Sequence, residues 1–220
     1  MKIYLIGVGP GDPDYITERA RKIIKSADIV VGYRYTINTI KDLIINKDVR
    51  YVTLKTQEEI YSNVLKEIKD SEKICVIPFT GDSCFSESEI VDRLREIFGD
   101  KNIIIEPGIS SIQVAAARAK VALDKCKIIT FHITGNIDKE KEELIYALKK
   151  RKTVIILPRP WDFMPKHIVE FLKDNKIELK EFDAEIYERL THNEELTYAR
   201  LDEIPEKEYS DLIVIVIKPR

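Results

Sequence analysis

The chain has 220 residues, with 36 Lys and Arg against 38 Asp and Glu, a net charge of −2. That balance excludes a broad basic field for nucleic acid, no apolar run approaches a membrane span, and Cys75, Cys84 and Cys126 are too scattered for a metal-binding pair or a disulfide framework. The length suits one large or two small domains with a real core, and the opening Met1 to Ile6 is too short for a signal peptide, so a reducing cytoplasm is expected. In chain order, residues 3–6 predict a strand that ends in Gly7-Val8-Gly9-Pro10-Gly11-Asp12-Pro13. A helix follows, capped by Thr17, with Ala20, Ile23 and Ile24 at helical spacing. Next come a strand at 29–31, a loop from Gly32 to Tyr35, a helix at 36–45, a strand at 50–54 and an amphipathic helix at 57–69. The strand 74–77 leads into Thr80-Gly81-Asp82-Ser83, residues 88–98 are helical, and 102–105 form a strand. Pro107-Gly108 breaks the chain before a small-residue helix at 114–119. Continuous apolar strands alternating with helices predict a mostly parallel sheet covered on both faces.

The second half changes character. Strands are predicted at 127–133 and 153–157 and helices at 139–148 and 165–172. Three strands, 183–190, 196–200 and 212–217, then follow with no helix between them, which requires antiparallel members. The expected fold class is α/β: two α/β domains, residues 1–108 with a mostly parallel sheet and residues 109–220 with a mixed sheet, and an active-site cleft between them.

The first glycine loop sits where an α/β protein places its ligand, at the carboxyl end of a strand. The dinucleotide fingerprint requires a third glycine at position 12, where this chain has Asp12, an acid that would repel a pyrophosphate. No glycine-lysine-serine/threonine ending exists, so the phosphate-cradling P-loop is absent. A ligand that is neutral or cationic near this loop fits better. Asp12 is expected to cap its turn, whereas Asp82 suits both a turn and a pocket. No group of residues offers a metal site.

Three further segments end an apolar strand in small or polar residues: Phe79 to Phe85, Pro107 to Ser111 and Phe131 to Gly135. Together with Gly7 to Pro13, and with Glu188-Arg189-Leu190 and Ala199 to Ile204 nearer the end, they resemble the tetrapyrrole methylase family over nearly the whole chain. The run from Pro107 to Ala119 is similar to the branch that methylates C-5 of cobalt-precorrin-7 in cobalamin biosynthesis. The chain departs from that pattern at three places. Ser83 replaces a proline, Glu87 stands where glycine is common, and Ile133 and Thr134 separate His132 from Gly135.

The resemblance implies an S-adenosylmethionine-dependent C-methyltransferase that releases S-adenosylhomocysteine. It implies that Gly9, Pro10, Gly81, Asp82, Ser83, Phe85, Ser110, Ser111, Leu157 and Pro158 line the cofactor pocket, and it suggests a homodimer. The chemistry agrees, since a sulfonium cation tolerates carboxylates and carbonyls nearby. A polycarboxylated tetrapyrrole calls for arginine at the rim, with Arg34 and Arg159 as candidates and Tyr33 and Tyr35 placed to meet the ring. No catalytic triad is expected and no general base is assigned. Other functions weighed were a diphthine synthase type, which usually lacks the proline found here as Pro10, and a ribosomal-RNA ribose methylase, which would want a basic field. A nucleotide-binding module of another class is opposed by Asp12.

Overall fold

Side chains along five short strands alternate between two helical layers, and this alternation builds the first half of the chain. The computed structural model describes residues 1–220. The strands are β1 (Lys2–Gly7), β2 (Ile29–Tyr33), β3 (Asp48–Val52), β4 (Ile74–Phe79) and β5 (Ile103–Glu106). Their order in the sheet is β3-β2-β4-β1-β5, and every pairing is parallel. On one face Ile3, Leu5, Ile29, Val31, Cys75 and Ile77 pack on α3 (Gln57–Ile68) and α4 (Ser88–Phe98). On the other, Ile6, Val30 and Val76 pack on α1 (Glu18–Ser26) and α2 (Arg34–Thr39). The period of two along each strand thus selects the helix each residue meets.

The order of strands fixes where a ligand can sit. β1 and β4 are neighbours, but the chain leaves β1 for β2 on one side and leaves β4 for β5 on the other. The helices that follow lie on opposite faces, α1 after β1 and α4 after β4. The carboxyl ends of β1 and β4 are therefore a topological switch point, where successive crossovers diverge and leave the strand ends open.

The second half is built from β6 (Cys126–Thr130), β7 (Thr153–Leu157), β8 (Phe182–Glu188), β9 (Glu195–Arg200) and β10 (Ile213–Pro219), in the order β6-β7-β10-β8-β9. Only β6 and β7 are parallel; β10 runs antiparallel to both β7 and β8, and β8 to β9. The expected mixed sheet is present. α6 (Asp138–Lys149) and α7 (Pro165–Asp174) cover one face through Leu144, Leu148, Ile168 and Leu172, while α5 (Ser111–Arg118) packs against β10. The chain divides into Met1–Ser110 and Ser111–Arg220, against an expected boundary between residues 108 and 109. No helix is long and apolar enough to cross a membrane.

Some element bounds differ from the sequence expectation. The helix expected at 36–45 is replaced by the short α2 and a single turn at Lys41–Leu43, because Ile40 leaves helical geometry at φ −108°, ψ 10°. The run Thr36-Ile37-Asn38-Thr39-Ile40 is mostly β-branched and has little propensity to hold a longer helix. The strand expected at 127–133 stops at Thr130, because the amide of His132 donates to Thr130 Oγ1 at 3.2 Å and the amide of Ile133 to the Phe131 carbonyl at 2.8 Å. α5 begins at Ser111, three residues earlier than hydrophobic spacing alone indicated.

Candidate active site

The loops that follow β1, β4 and β5 meet backbone to backbone. The Gly81 amide donates to the Gly9 carbonyl at 2.7 Å and the Gly9 amide to the Gly81 carbonyl at 3.2 Å, while Val8 N–H reaches the Phe79 carbonyl at 2.9 Å. A Cβ on Gly7 would stand 2.5 Å from Gly108 N and 2.6 Å from the Gly81 carbonyl, and one on Gly108 would meet Gly7 Cα at 2.6 Å. No side chain fits there, so only glycine lets the three loops close on one another. Gly9 adds a second constraint, with φ +81° and Tyr15 Cβ 2.9 Å from where its own Cβ would stand.

The loop after β1 is locked from outside. Asp12 accepts from Asp14 N–H at 2.8 Å and caps the turn Pro13–Tyr15, the structural role expected of it. Arg21 of α1 donates to the carbonyls of Ile16, at 3.3 Å, and Pro13. Pro10 is buried beside them. In the loop after β4, Asp82 Oδ1 accepts from the Cys84 amide at 3.0 Å, so this acid is a turn former. Phe85 is half-buried, and its amide returns to the Asp82 carbonyl at 3.2 Å. Ser83 is buried, and its hydroxyl has no hydrogen-bond partner. Leaving such a group unpaired costs about 1–3 kcal/mol, and a ligand atom that bonds to it removes the cost. Ser110 is buried two residues beyond Gly108.

Gly9, Pro10, Gly81, Asp82, Ser83, Phe85 and Ser110 are therefore gathered by the meeting of three loops within the first unit. Tyr33, Arg34 and Tyr35 stand at the carboxyl end of β2, next to β4. Thr36 of α2 and Thr80, just beyond β4, are tied through hydroxyls 2.8 Å apart. Tyr33 is half-buried and donates to Gln57 Oε1 at 2.9 Å. Arg34 is exposed, with its guanidinium 4.8 Å from the centre of the Tyr51 ring, and Tyr35 is exposed.

Ser111, Leu157, Pro158 and Arg159 belong to the second unit, where Ser111 starts α5 and Leu157 ends β7. Arg159 is buried and fully engaged. Its guanidinium holds Asp162 at 2.5 and 2.9 Å and donates to the carbonyls of Ile133 and Gly135 at 3.3 and 2.8 Å. It braces the loops after β6 and β7 rather than standing free at a rim. His132, in the same region, is half-buried, and desolvation holds its imidazole below the ordinary value, partly opposed by Asp211. An open hollow of about 420 Å³ beside α6, lined by Lys127, Tyr146 and Lys152 among others, contains none of the motif residues.

Two residues of this edge carried little signal in the sequence. Gln57 is a buried polar residue at the first position of α3; it accepts from the Tyr33 hydroxyl at 2.9 Å and donates to the Leu54 carbonyl at 3.5 Å. Glu87 was visible as a departure from the family pattern, but not as a chemical group.

Comparison with known proteins places this geometry. Residues 2–205 match the family model of the tetrapyrrole (corrin/porphyrin) methylases. The chain belongs to this family. The methylase is 34% identical over 219 residues to the probable cobalt-precorrin-7 C(5)-methyltransferase of Methanocaldococcus jannaschii, covering 97% of this chain and 96% of that one. The crystal structure of the methyltransferase CobJ superposes on it with a TM-score of 0.82 at 16% identity, covering 99% of this chain and 94% of the other. The precorrin-6Y methylase CbiE of Archaeoglobus fulgidus gives a TM-score of 0.70 at 28% identity, over 100% and 98% of the two chains. The methylase is thus an S-adenosylmethionine-dependent methyltransferase. Its residues fit that cofactor: close-packed glycine backbone at a switch point, an acid on the loop after β4 and a buried hydroxyl in need of a partner.

Proposed function

We propose that the methylase transfers a methyl group to C-5 of cobalt-precorrin-7 in cobalamin biosynthesis. The observation that carries the reading is the meeting of the three glycine loops at the switch point, with the Ser83 hydroxyl buried and unpaired among them. The full-length similarity to a probable C(5)-methyltransferase supports the choice of ring carbon.

Gly9, Pro10, Gly81, Asp82, Ser83, Phe85 and Ser110 would hold S-adenosylmethionine. When bound, this cofactor supplies an activated methyl group on a sulfonium centre. The chain's part is to align the reactants and exclude water, because a meso carbon of a reduced tetrapyrrole is already enamine-like and nucleophilic. Arg34, exposed beside Tyr51 and near Tyr33 and Tyr35, is placed to meet ring carboxylates.

Calorimetric titration with S-adenosylhomocysteine and with NAD, followed by mass spectrometry of a panel of late corrin intermediates incubated with S-adenosylmethionine, tests the reading. Binding of the first ligand alone, with one methyl added to cobalt-precorrin-7, is expected. Tight NAD binding, or methylation of a different intermediate in its place, refutes it. Ser83→Ala is expected to weaken S-adenosylhomocysteine binding about 5- to 10-fold while making the free protein more stable, since it removes the unpaired hydroxyl.

A further inference from the structure

Building on that reading, we propose that Thr36 is a positioning residue of the methyl transfer: its hydroxyl bond to Thr80 fixes α2, which carries Arg34 and Tyr35, against the loop that would hold the cofactor. Beside α2 the sheet stops pairing early. β2 is paired with β3 to its last residue, Tyr33 with Val52, but with β4 only at Ile29–Cys75 and Val30–Val76. The cause lies in β4. The Ile74 carbonyl faces β2, where the Asp28 amide reaches it at 2.9 Å, and the Phe79 carbonyl faces β1, where the Val8 amide reaches it at 2.9 Å. Alternation along the strand turns Pro78 towards β2, and proline has no N–H with which to extend the ladder. Gly32 lies against the Pro78 ring instead, where a Cβ would stand 3.2 Å from Cγ.

Beyond that point the placement of α2 rests on side chains. Six residues, half of them β-branched, do not sustain a helix alone, and Tyr33 at the N-cap supplies no side-chain bond. Ile37 anchors α2 in the core, Thr36 is buried beside it, and Arg34 and Tyr35 are exposed. The Thr36 and Thr80 hydroxyls, 2.8 Å apart, form the one side-chain hydrogen bond that links α2 to another element.

Thr80 is followed at once by Gly81, whose amide is bonded to the Gly9 carbonyl at 2.7 Å, and then by Asp82 and the unpaired Ser83. One bond therefore runs from the segment that offers Arg34 and Tyr35 to the stitched loops, at the place where the backbone ladder gives out. Ile37 packing alone resists removal of α2 from the core, but it is non-directional. A hydroxyl pair is directional and sets the register of α2 against the cofactor loop. In methyl transfer the two reactants must meet in line, and a misplacement of about 1 Å can cost about 100-fold in rate.

The test uses Thr36→Val, Thr36→Ser and Thr80→Val. It reads S-adenosylhomocysteine binding by calorimetry, thermal stability, and kcat and KM for the late corrin intermediate that the wild type methylates. Thr36→Val is expected to bind S-adenosylhomocysteine within about twofold of wild type and to lose about 10-fold or more in kcat/KM for the corrin. Thr36→Ser keeps the hydroxyl and should retain most of the wild-type kcat/KM. Thr80→Val breaks the same bond from its partly exposed end and should match Thr36→Val, and the double variant should lose no more than either alone. Wild-type kcat/KM in Thr36→Val, with or without a lower melting temperature, overturns the proposal and leaves the methylase reading intact. An equal loss in Thr36→Ser, or additive losses in the double variant, also overturns it, because the hydroxyl pair is then not the cause. Loss of S-adenosylhomocysteine binding in Thr36→Val overturns it by making the bond part of the cofactor seat. If Thr36→Val does not fold, Thr80→Val decides by the same criteria. A wild-type protein that binds S-adenosylhomocysteine but methylates no corrin intermediate overturns the substrate reading, and this assignment falls with it.

Discussion

The two units hold the loops at their strand ends by different means. In the first, the loops after β1, β4 and β5 are stitched through backbone at Gly7, Gly9, Gly81 and Gly108, with Asp12 and Asp82 shaping the turns and Arg21 closing the first loop from outside. In the second, the loops after β6 and β7 are held by one buried arginine, Arg159, whose donors go to Asp162 and two carbonyls. Stitching with backbone keeps a polar side chain such as Ser83 unpaired. Bracing with a charged side chain commits that side chain to the fold.

The largest expected effect comes from forcing a methyl group into the stitched region. Gly7→Ala places carbon 2.5 Å from Gly108 N and should cost about 3 kcal/mol or more, with loss of S-adenosylhomocysteine binding. Gly135→Ala, in the braced region, meets no atom within 4 Å and only the strain of φ +85°, so it should cost about 1 kcal/mol. Chemical denaturation and calorimetry on the pair check the contrast; equal losses would mean that the backbone meeting is not what limits the first unit.

Arg159→Ala should be next, at about 2–4 kcal/mol, because it frees Asp162 and leaves the Ile133 and Gly135 carbonyls short of a donor. Thermal melts are the measure. S-adenosylhomocysteine affinity should change far less than stability if Arg159 acts as a brace.

Glu87→Gln sharpens the comparison through pH. The folded-state value of Glu87 is raised from the ordinary 4.5 to about 7, so the unfolded chain releases this proton first. Its contribution to stability is fully present below pH about 4.5 and is lost as pH rises through about 7. The glutamine variant should match wild type at pH 4.5 and exceed it at pH 8 by about 1–3 kcal/mol. Equal stability at pH 8 would mean that the carboxyl is well solvated.

The smallest effect lies at a helix end of the second unit. α7 is closed by Lys176 at φ +58°, with the Ile177 amide bonded to the Leu172 carbonyl at 3.0 Å. Lys176 is exposed and its position favours glycine, so Lys176→Gly should stabilise by about 0.5–1 kcal/mol. A change in ligand affinity is not expected.

Most of the architecture was legible in the order of residues because its signals are local. Uninterrupted apolar runs such as Ile29-Val30-Val31 can only be buried strands, and helical spacing such as Ala20, Ile23 and Ile24 defines a face. The loss of helices after residue 172 called for antiparallel strands, and β8, β9 and β10 supply them. The glycine loops marked the ligand edge for the same reason, since rigid turns at strand ends carry their own composition. Strand order was another matter. That β4 lies between β2 and β1, bringing Gly81 against Gly9 and Gly108 against Gly7, depends on crossovers spanning many residues, and no local pattern encodes it. Nor does any local pattern distinguish Arg159, buried with all its bonds internal, from Arg34, exposed on its tyrosine, although both arginines follow a strand. Burial and partnership are properties of the assembled core: the sequence determined which turns would be rigid, and only the packing of distant strands decided which polar groups those turns would leave unpaired.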